Sequence, residues 1–278
     1  MFDAPGPRFR RGVFWVSVVS ALVLAGLVAL GLRQFAANGQ LDPVRWQPYL
    51  TWPVWRYLLG GLWSTVVAAF ATGVLAMAGG LLLALRPNRF TRAYAEVMRT
   101  VPVLLLVYVM LFVLPSFGVN LPLFWKLVVP LALSHAASYA VIFRAGVESV
   151  DRGQREAGLS LGMADGVVTR FVVLPQAVRH MTPLLVTQAV SLLKDTSLGY
   201  VVSYTELLFN GRVLANYNGL LIQTFIVVAF IYLVVNLALS RLAHRLEVSR
   251  ARTARRGHAE RIRGEPAPRQ RRRAAAVR

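Results

Sequence analysis

Six long apolar segments alternate with short polar stretches along this chain. Each apolar segment holds about 20 residues, the length that a helix needs to cross roughly 30 Å of hydrocarbon. The pattern predicts an all-α integral membrane protein with about six membrane-spanning helices. We expect these helices at Val13–Leu32, Leu62–Leu85, Tyr94–Leu114, Leu123–Phe143, Leu184–Tyr204 and Leu220–Leu239.

The polar stretches divide the chain into parts with different expected roles. Residues 1–12 form a basic N-terminus, and 13–32 form an N-terminal helix that we expect to remain as an uncleaved anchor. Residues 33–61 connect it to a transmembrane domain over 62–240, which contains a large polar loop at 148–182. Residues 241–278 are rich in arginine and lack an apolar period, so we expect a disordered tail or one held on anionic lipid.

The distribution of arginine predicts how the chain is oriented. With the N-terminus inside, the basic residues outside are only Arg33, Arg45, Arg56 and Arg212, and almost all the others lie in inside segments. Basic residues concentrate in the cytoplasmic loops of membrane proteins. We therefore expect both termini in the cytoplasm and the segment Trp46–Trp63 outside. Its many tryptophans and tyrosines favour an interfacial helix, with a docking surface for a partner as the alternative.

Composition excludes several classes of function. Among the 278 residues, 56% are hydrophobic and none is cysteine, which removes disulfides and thiolate metal sites. Neither lysine, Lys126 or Lys194, follows a glycine, so the chain lacks a P-loop for ATP. The four histidines show no metal-ligand spacing, and no metal site is predicted. The net charge of +19 is explained by membrane orientation, and no nucleic-acid-binding signature accompanies it.

The polar loop contains the most specific pattern in the chain. Its residues Arg155–Gly162 read REAGLSLG, and Leu174-Pro175 follows after about a dozen positions. Gly158-Leu-Ser-Leu-Gly162 also matches the nucleophile elbow of serine hydrolases, but that elbow needs a preceding strand, and none is predicted here. The apolar residues Leu159, Leu161, Met163, Val167 and Val168 are expected on the buried side of a short helix. Gly162 would allow a bend, and Leu174-Pro175 would end the segment.

This pattern resembles the cytoplasmic "EAA" loop of ABC importer permeases, with Gly158 in place of the family's second alanine. Two further elements resemble the polar amino-acid branch of that family. One is Glu96–Pro102, which reads EVMRTVP, and the other is Lys194–Leu198, which reads KDTSL and is followed by Glu206-Leu207. The similarity spans roughly Gly61–Leu239. Within that branch, the chain is most similar to glutamate permease subunits of actinobacteria.

The resemblance implies a type I ABC importer permease fold, and it assigns roles to particular residues. It implies an ATPase-coupling loop formed by Glu156, Ala157, Gly158, Gly162, Leu174 and Pro175. The candidates for the translocation path are Arg99, Thr100, Pro102, Lys194, Asp195 and Thr196. The chain itself would be no enzyme and would bind no cofactor, because ATP and Mg²⁺ would be bound by partner ATPase subunits. The other implied partners are a sister permease or a second copy, an extracytoplasmic solute-binding protein, and lipid of the bacterial cell membrane.

Lys194 and Asp195 are unusual because we expect both about half way along the fifth helix. Charges at that depth cost a few kcal/mol or more and usually face another helix or a wet cavity. They either form a buried ion pair or line the path, where the charges of an amino acid could exchange with theirs.

The sequence thus predicts the permease subunit of an ATP-driven importer for polar amino acids, possibly glutamate. The alternative is a stand-alone secondary transporter or channel for a small polar solute. That alternative would use intramembrane acids, for which Asp195 is the one firm candidate, and the two halves of the chain show no inverted repeat.

Overall fold

The computed structural model describes residues 7–241, with side chains from residue 12 onward, and every regular element in that range is helical. The long elements are α1 (Pro7–Ala37), α2 (Trp52–Leu85), α3 (Arg89–Thr100), α4 (Val103–Ser116), α5 (Leu123–Glu148), α6 (Arg152–Ser160), α7 (Leu174–Asp195), α8 (Leu207–Asn218) and α9 (Leu221–Arg241). Shorter helical pieces lie at Pro43–Trp46, Gln47–Leu50, Asp165–Val168 and Thr196–Tyr200. The predictions for residues 1–6 and for the tail after residue 241 lie outside the described residues.

Four helices in the described range are long and apolar enough to cross a membrane, namely residues 12–37 of α1 together with α2, α5 and α9. The pair α3 and α4 would make a fifth span, although it is bent by 96°. The bend lies where the sequence places Pro102, because proline forces the preceding Val101 into an extended conformation and donates no hydrogen bond. The third span expected at Tyr94–Leu114 is therefore interrupted at Pro102. By contrast, α5 continues through Pro130 as one helix.

The predicted fifth span, Leu184–Tyr204, has the wrong bounds. In the structure, α7 ends at Asp195 and gives way to a 3₁₀ turn at Thr196–Tyr200. A four-residue helix and the π-helical turn Thr169–Val173 lead into its N-terminal end. Lys194 and Asp195 are consequently the last two residues of this helix and do not lie at its middle.

The closest helix pair is α2 and α5, which cross where glycine replaces a larger side chain. A Cβ on Gly80 would lie 2.6 Å from the Cβ of Tyr139 and 3.0 Å from the carbonyl oxygen of Ala136. Small residues let helix backbones approach in membranes and so increase van der Waals contact. This pair forms the frame on which α3, α7 and α8 are arranged.

The connection between α1 and α2 packs against the rest of the chain. Tyr49 is buried, and its hydroxyl forms a hydrogen bond with Thr224 of α9. The amide of Gln223 donates to the backbone oxygen of Gln40 over 2.9 Å, and the indole of Trp55 donates to the backbone oxygen of Tyr49 over 2.7 Å. The segment therefore binds its own α9, and α2 begins at Trp52, ten residues earlier than predicted.

Helix α1 differs from the other helices in its packing. None of its apolar stretch is buried by the rest of the described chain, whereas more than half of the corresponding window of α5 is buried. Its whole apolar surface is therefore available to lipid or to another subunit.

Candidate coupling loop and translocation surface

The polar loop begins with a capped helix. The Asp151 carboxylate accepts a hydrogen bond of 2.7 Å from the backbone of Gly153, so the first turn of α6 has a side-chain cap. Helix α6 contains Glu156 and Ala157, both exposed, and the buried Gly158. The short helix thus presents the first two motif residues to solvent and turns the third towards the chain.

The departure from alanine at position 158 has a packing explanation. A Cβ added to Gly158 would lie 2.9 and 3.0 Å from the two γ-methyl carbons of Val168, which is fully buried. Val168 belongs to a cluster with Val150, Val173, Ala177 and Met181 that joins the loop to α7. The valine therefore occupies the space that an alanine at position 158 would need.

A left-handed residue ends α6 and reverses the chain. Gly162 has φ +77°, and the backbone N–H of Met163 donates to the carbonyl of Gly158 over 3.2 Å. This arrangement satisfies carbonyls at the end of the helix and favours glycine because L side chains rarely adopt such a φ. The predicted bend at Gly162 is confirmed.

An ion pair spans the bend. The guanidinium of Arg155 donates to the Asp165 carboxylate over 2.7 and 2.9 Å. Both side chains are more than half exposed, so the pair contributes about 0.2–1 kcal/mol at most. Its effect is to hold the two arms of the bend in one geometry.

Two predictions about this loop were wrong. Among the apolar residues expected on its buried side, only Val168 is buried and Met163 is half-buried, whereas Leu159, Leu161 and Val167 are exposed. Leu174-Pro175 starts α7 and does not end the segment, because the preceding π-helical turn leads directly into that helix. Proline is tolerated in a first turn, where its missing N–H has no partner to lose.

The exposed face of the loop is consequently apolar as well as charged. The side chain of Leu161 is 83% exposed, and Phe171 and Leu174 are also exposed. Glu156 lies on the same helix as Leu159. Clustered exposed apolar residues beside charges are typical of a surface that binds another protein.

Substituting Gly158 by alanine tests the packing of this loop. We expect Gly158→Ala to lower transport two- to fivefold at unchanged membrane content, because the new methyl group displaces Val168 and with it the position of α6. The double variant Gly158→Ala/Val168→Ala should recover most of the loss. Uptake rates normalised to the amount of protein in the membrane measure both effects. Wild-type uptake by the single variant would show that this contact does not position α6.

Arg99, Thr100 and Pro102 lie together at the bend between α3 and α4, and all three are exposed. The hydroxyl of Thr100 donates to the backbone oxygen of Glu96 over 2.9 Å. Arg99 has no ion-pair partner among residues 12–241. The hydroxyl of Tyr94 attaches this region to α5 through a hydrogen bond of 2.9 Å to the backbone oxygen of Leu133.

Residues 194–196 face three different environments. Lys194 is exposed and has no acidic partner within the described chain, whereas Asp195 is half-buried and lies 3.1 Å from His135 of α5. Thr196 is fully buried and donates to the backbone oxygen of Leu193 over 2.6 Å. Thr196 therefore lies in the interior and does not line an open surface of this chain.

A partly buried polar network connects α5 to α7. The Nε2 atom of His135 lies 3.1 Å from the Asp195 carboxylate, and its Nδ1 atom lies 2.6 Å from the amide nitrogen of Gln188. His135 thus forms two interhelical hydrogen bonds from α5 to α7. Sequence analysis did not identify Gln188, although it lies seven residues before Asp195 and so on the same side of α7.

Lys194 lines a groove between α7 and α9 that has a volume of about 630 Å³. The residues that give the groove its character are Lys194, Ser197, Tyr232, Leu233, Asn236 and Leu237. The side-chain oxygen of Asn236 is buried and has no donor within the described chain, while its nitrogen donates to the backbone oxygen of Tyr232. An apolar groove with one free cation and one unused acceptor can hold a small zwitterion.

Glu206 is the most completely satisfied acid in the described chain, and sequence analysis gave it no role. Its carboxylate caps α8 by accepting from the backbone of Leu208 and Phe209 over 2.8 and 2.7 Å, and it accepts from the hydroxyl of Tyr232 over 2.9 Å. The side chain is fully buried, and burial raises the pKa of its carboxyl group to about 7. Glu206 therefore joins α8 to α9 at one point.

Arg144 of α5 contacts the end of a neighbouring helix. It donates to the backbone oxygen of Leu83 at the end of α2 over 3.0 Å, and within the described chain no ion pair joins it to Glu148, four residues further along α5. The contact joins α5 to α2, since a cation at a helix C-terminus neutralises the exposed carbonyls there.

Comparison with known proteins gives consistent matches. Residues 73–251 match the family described as binding-protein-dependent transport system inner membrane component. A glutamate transport system permease protein of Corynebacterium glutamicum is 35% identical over 226 residues, which cover 76% of this chain and 82% of that protein. A glutamate/aspartate import permease protein of Escherichia coli O6:H1 is 32% identical over 210 residues, 70% of this chain and 94% of that protein.

A solved structure also matches the fold. The crystal structure of an amino acid ABC transporter with histidines superposes with a TM-score of 0.67 and 29% identity, covering 70% of this chain and 94% of that one. None of the described residues forms a group of three or more candidate metal ligands.

Proposed function

Since the chain belongs to the family of binding-protein-dependent transport system inner membrane components, it is a permease subunit of an ABC importer, and we propose that its cargo is an acidic amino acid. Members of this family work with an ATPase and a solute-binding protein. The stand-alone secondary transporter, our alternative from the sequence, is not supported by these matches. The observation that supports coupling to an ATPase is the capped helix α6, closed by Gly162 and exposed on the face that would meet an ATPase. The observation that carries the cargo proposal is the unpaired charge of Lys194 beside a groove without a carboxylate.

In the proposed mechanism, two ATPase subunits with ATP and Mg²⁺ dock on loop 148–182 of two permease subunits. The exposed Glu156, Ala157 and Leu161 of each copy would contact them. ATP binding closes the ATPases and moves the two loops together, and the rigid connection through Val168 transmits this displacement to α7. The permease would alternate between two packings of its helices. The ATP-bound ATPases shift this equilibrium because they bind one packing more tightly than the other.

The charges on the candidate path support an anionic cargo. Asp195 is engaged by His135, whereas Lys194 and Arg99 have no acidic partner in the described range. The groove beside Lys194 contains no carboxylate among its lining residues. A carboxylate of the cargo would pair with the Lys194 ammonium, and the cargo's own ammonium would donate to the free oxygen of Asn236. Two relatives named for glutamate transport agree with this charge preference.

The arrangement of subunits is part of the proposal. The permease would pair with a sister subunit or a second copy in the bacterial cell membrane, with both termini cytoplasmic. An extracytoplasmic solute-binding protein would deliver the cargo at the end of the molecule where α2 begins. The groove beside Lys194 is open on one side, as expected of a half-site that a second subunit completes.

Purification from the native membrane tests the assembly. The chain would be tagged at its C-terminus, extracted gently, and analysed by mass spectrometry for co-purifying proteins. A P-loop ATPase and a permease should be recovered in stoichiometric amounts, and ATP-dependent uptake of ¹⁴C-glutamate into vesicles should follow reconstitution. A homo-oligomer that transports without an ATPase would overturn the proposal.

Substituting Lys194 tests the cargo assignment. We expect Lys194→Met to raise the KM for glutamate about tenfold, because a charge-assisted hydrogen bond from the ammonium to a carboxylate of the cargo contributes about 1.4 kcal/mol. The variant should leave the rate of ATP hydrolysis without cargo unchanged. Arg179→Met, an exposed arginine on the same helix that does not line the groove, is the matched control. Equal KM values for Lys194→Met and the control would exclude Lys194 from the path.

A further inference from the structure

A second cavity lies at the beginning of α2, away from the coupling loop and the groove of Lys194. It has a volume of about 460 Å³ and is lined by Trp52, Pro53, Arg56, Tyr57, Gly60 and Asn210. The first five residues follow one another at positions that share one face of α2, and Asn210 of α8 closes the cavity. The Asn210 amide donates to the backbone oxygen of Tyr57 over 3.1 Å, which fixes that wall.

Arg56 gives this cavity a free positive charge. Within the described chain it has no ion pair, and neither acid of the neighbouring segments is available to it. Asp42 caps the short helix after it by accepting from the backbone of Val44, and Glu206 is buried with three donors. The five N–H donors of the guanidinium suit a planar or tetrahedral oxyanion.

The start of α2 adds to the positive potential. The hydroxyl of Thr51, the residue before α2, donates to the backbone oxygen of Pro48, so its side chain does not cap the helix. The first N–H groups of a 34-residue helix are thus left without a side-chain acceptor. The unpaired guanidinium is an independent and stronger contribution.

The aromatic residues indicate which anion is present at this position. Trp52 and Tyr57 of the cavity are both exposed and lie in the first two turns of α2, before its apolar run. Exposed tryptophan and tyrosine at such a boundary are typical of the level of the lipid headgroups. The anion that is always available at this level is the phosphodiester of a phospholipid.

We propose that the cavity of Trp52, Arg56, Tyr57 and Gly60 binds the headgroup of an anionic phospholipid, with its phosphate on Arg56 and its acyl chains along the apolar face of α2. This site is separate from the transport path. It attaches the start of α2 to the outer leaflet while the remainder of the chain changes conformation.

Lipid retention tests the site in the full-length chain together with its co-purifying subunits. The protein is equilibrated with phosphatidylglycerol and phosphatidylcholine at 3:7, washed in detergent, and analysed by native mass spectrometry. We expect the wild type to retain about one phosphatidylglycerol per copy. Arg56→Gln should reduce this retention at least threefold. Gly60→Leu should do the same by filling the cavity while preserving the charge, since no atom lies within 4 Å of a Cβ at this position.

Arg212→Gln is the matched control, because it removes an exposed charge from α8 that stacks on Tyr200 and does not line the cavity. If Arg212→Gln loses as much phosphatidylglycerol as Arg56→Gln, the lipid is held only by general charge attraction and the proposed site does not exist. Release by millimolar inorganic phosphate would also overturn the lipid assignment. A third result would also overturn the lipid assignment. If Arg56→Gln retains lipid normally but its transport is stimulated less by the solute-binding protein, Arg56 contacts an acidic protein partner. None of these results depends on the coupling loop or on the cargo.

Discussion

Transport by Gly162→Val is expected to fall at least tenfold, although the variant should remain in the membrane at the wild-type level. The structural reason is the left-handed backbone of Gly162, at φ +77°. A left-handed conformation costs an ordinary L-residue about 1–2 kcal/mol, and β-branching makes it less accessible still. The substitution would therefore unwind the end of α6 and separate Glu156 from α7. Initial rates of uptake, divided by the amount of permease in the membrane, measure the effect.

Gly162→Asn is the informative companion to this variant. Asparagine adopts the left-handed region more readily than other side chains do, so this variant should keep transport within about threefold of the wild type. Both substitutions add a side chain at a position with no atom of this chain within 4 Å of a Cβ. If both variants fail equally, the cause is a clash with the ATPase and not the backbone conformation. If both transport normally, the bend is not required for coupling.

The second large effect is expected from Glu206→Ala, which should lower the stability of the folded permease by at least about 2 kcal/mol. Loss of a helix N-cap typically costs about 0.5–2 kcal/mol. The substitution also leaves the buried hydroxyl of Tyr232 without its acceptor, at a further cost of about 1–3 kcal/mol. Thermal unfolding of the detergent-purified protein, followed by size-exclusion fluorescence, would show a midpoint several degrees lower. An unchanged midpoint would mean that water replaces the carboxylate in this network.

Stability should also depend on pH through the same residue. The pKa of the Glu206 carboxyl is raised by burial to about 7 from the 4.5 of an exposed group. The folded state thus holds its proton more tightly than the unfolded state does. The corresponding stabilisation is complete below about pH 4.5 and disappears as the pH rises through about 7. Glu206→Gln retains an acceptor for α8 and cannot titrate, so its unfolding midpoint should lose this dependence between pH 5 and 7.5.

The long apolar runs in the sequence predicted four of the spans. The runs of α1, α2, α5 and α9 are long enough to cross a bilayer, and a helix satisfies every backbone hydrogen bond within the segment. Helix α7 was placed incorrectly because its C-terminal half contains Gln188, Lys194 and Asp195, whose polar partners are on other helices. The tertiary contact of Asp195 with His135, which the sequence does not show, gives these polar residues a partner inside the fold.

In the candidate site too, local features were predictable and features set by tertiary contacts were not. The bend at Gly162 was predictable because glycine adopts a left-handed backbone more readily than any residue with a side chain. The burial of Gly158 was not predictable, since it depends on the position of Val168, which follows ten residues later in the chain. Glu206 was overlooked because an acid before an apolar helix is a common cap, and the sequence does not show that Tyr232 closes over it.

The uncovered surface of α1 has a practical consequence for protein engineering. A helix that nothing else in residues 7–241 covers can be exchanged without opening the core of its own chain. The junction for such a chimera lies before Gln40, whose backbone oxygen accepts a hydrogen bond from Gln223. Gly39, which has a left-handed backbone, is a suitable fusion point. A foreign membrane anchor or a fluorescent protein fused at this junction would leave the hydrogen bond between Gln40 and Gln223 intact. The N-terminal helix can therefore be replaced by a tag that immobilises the transporter.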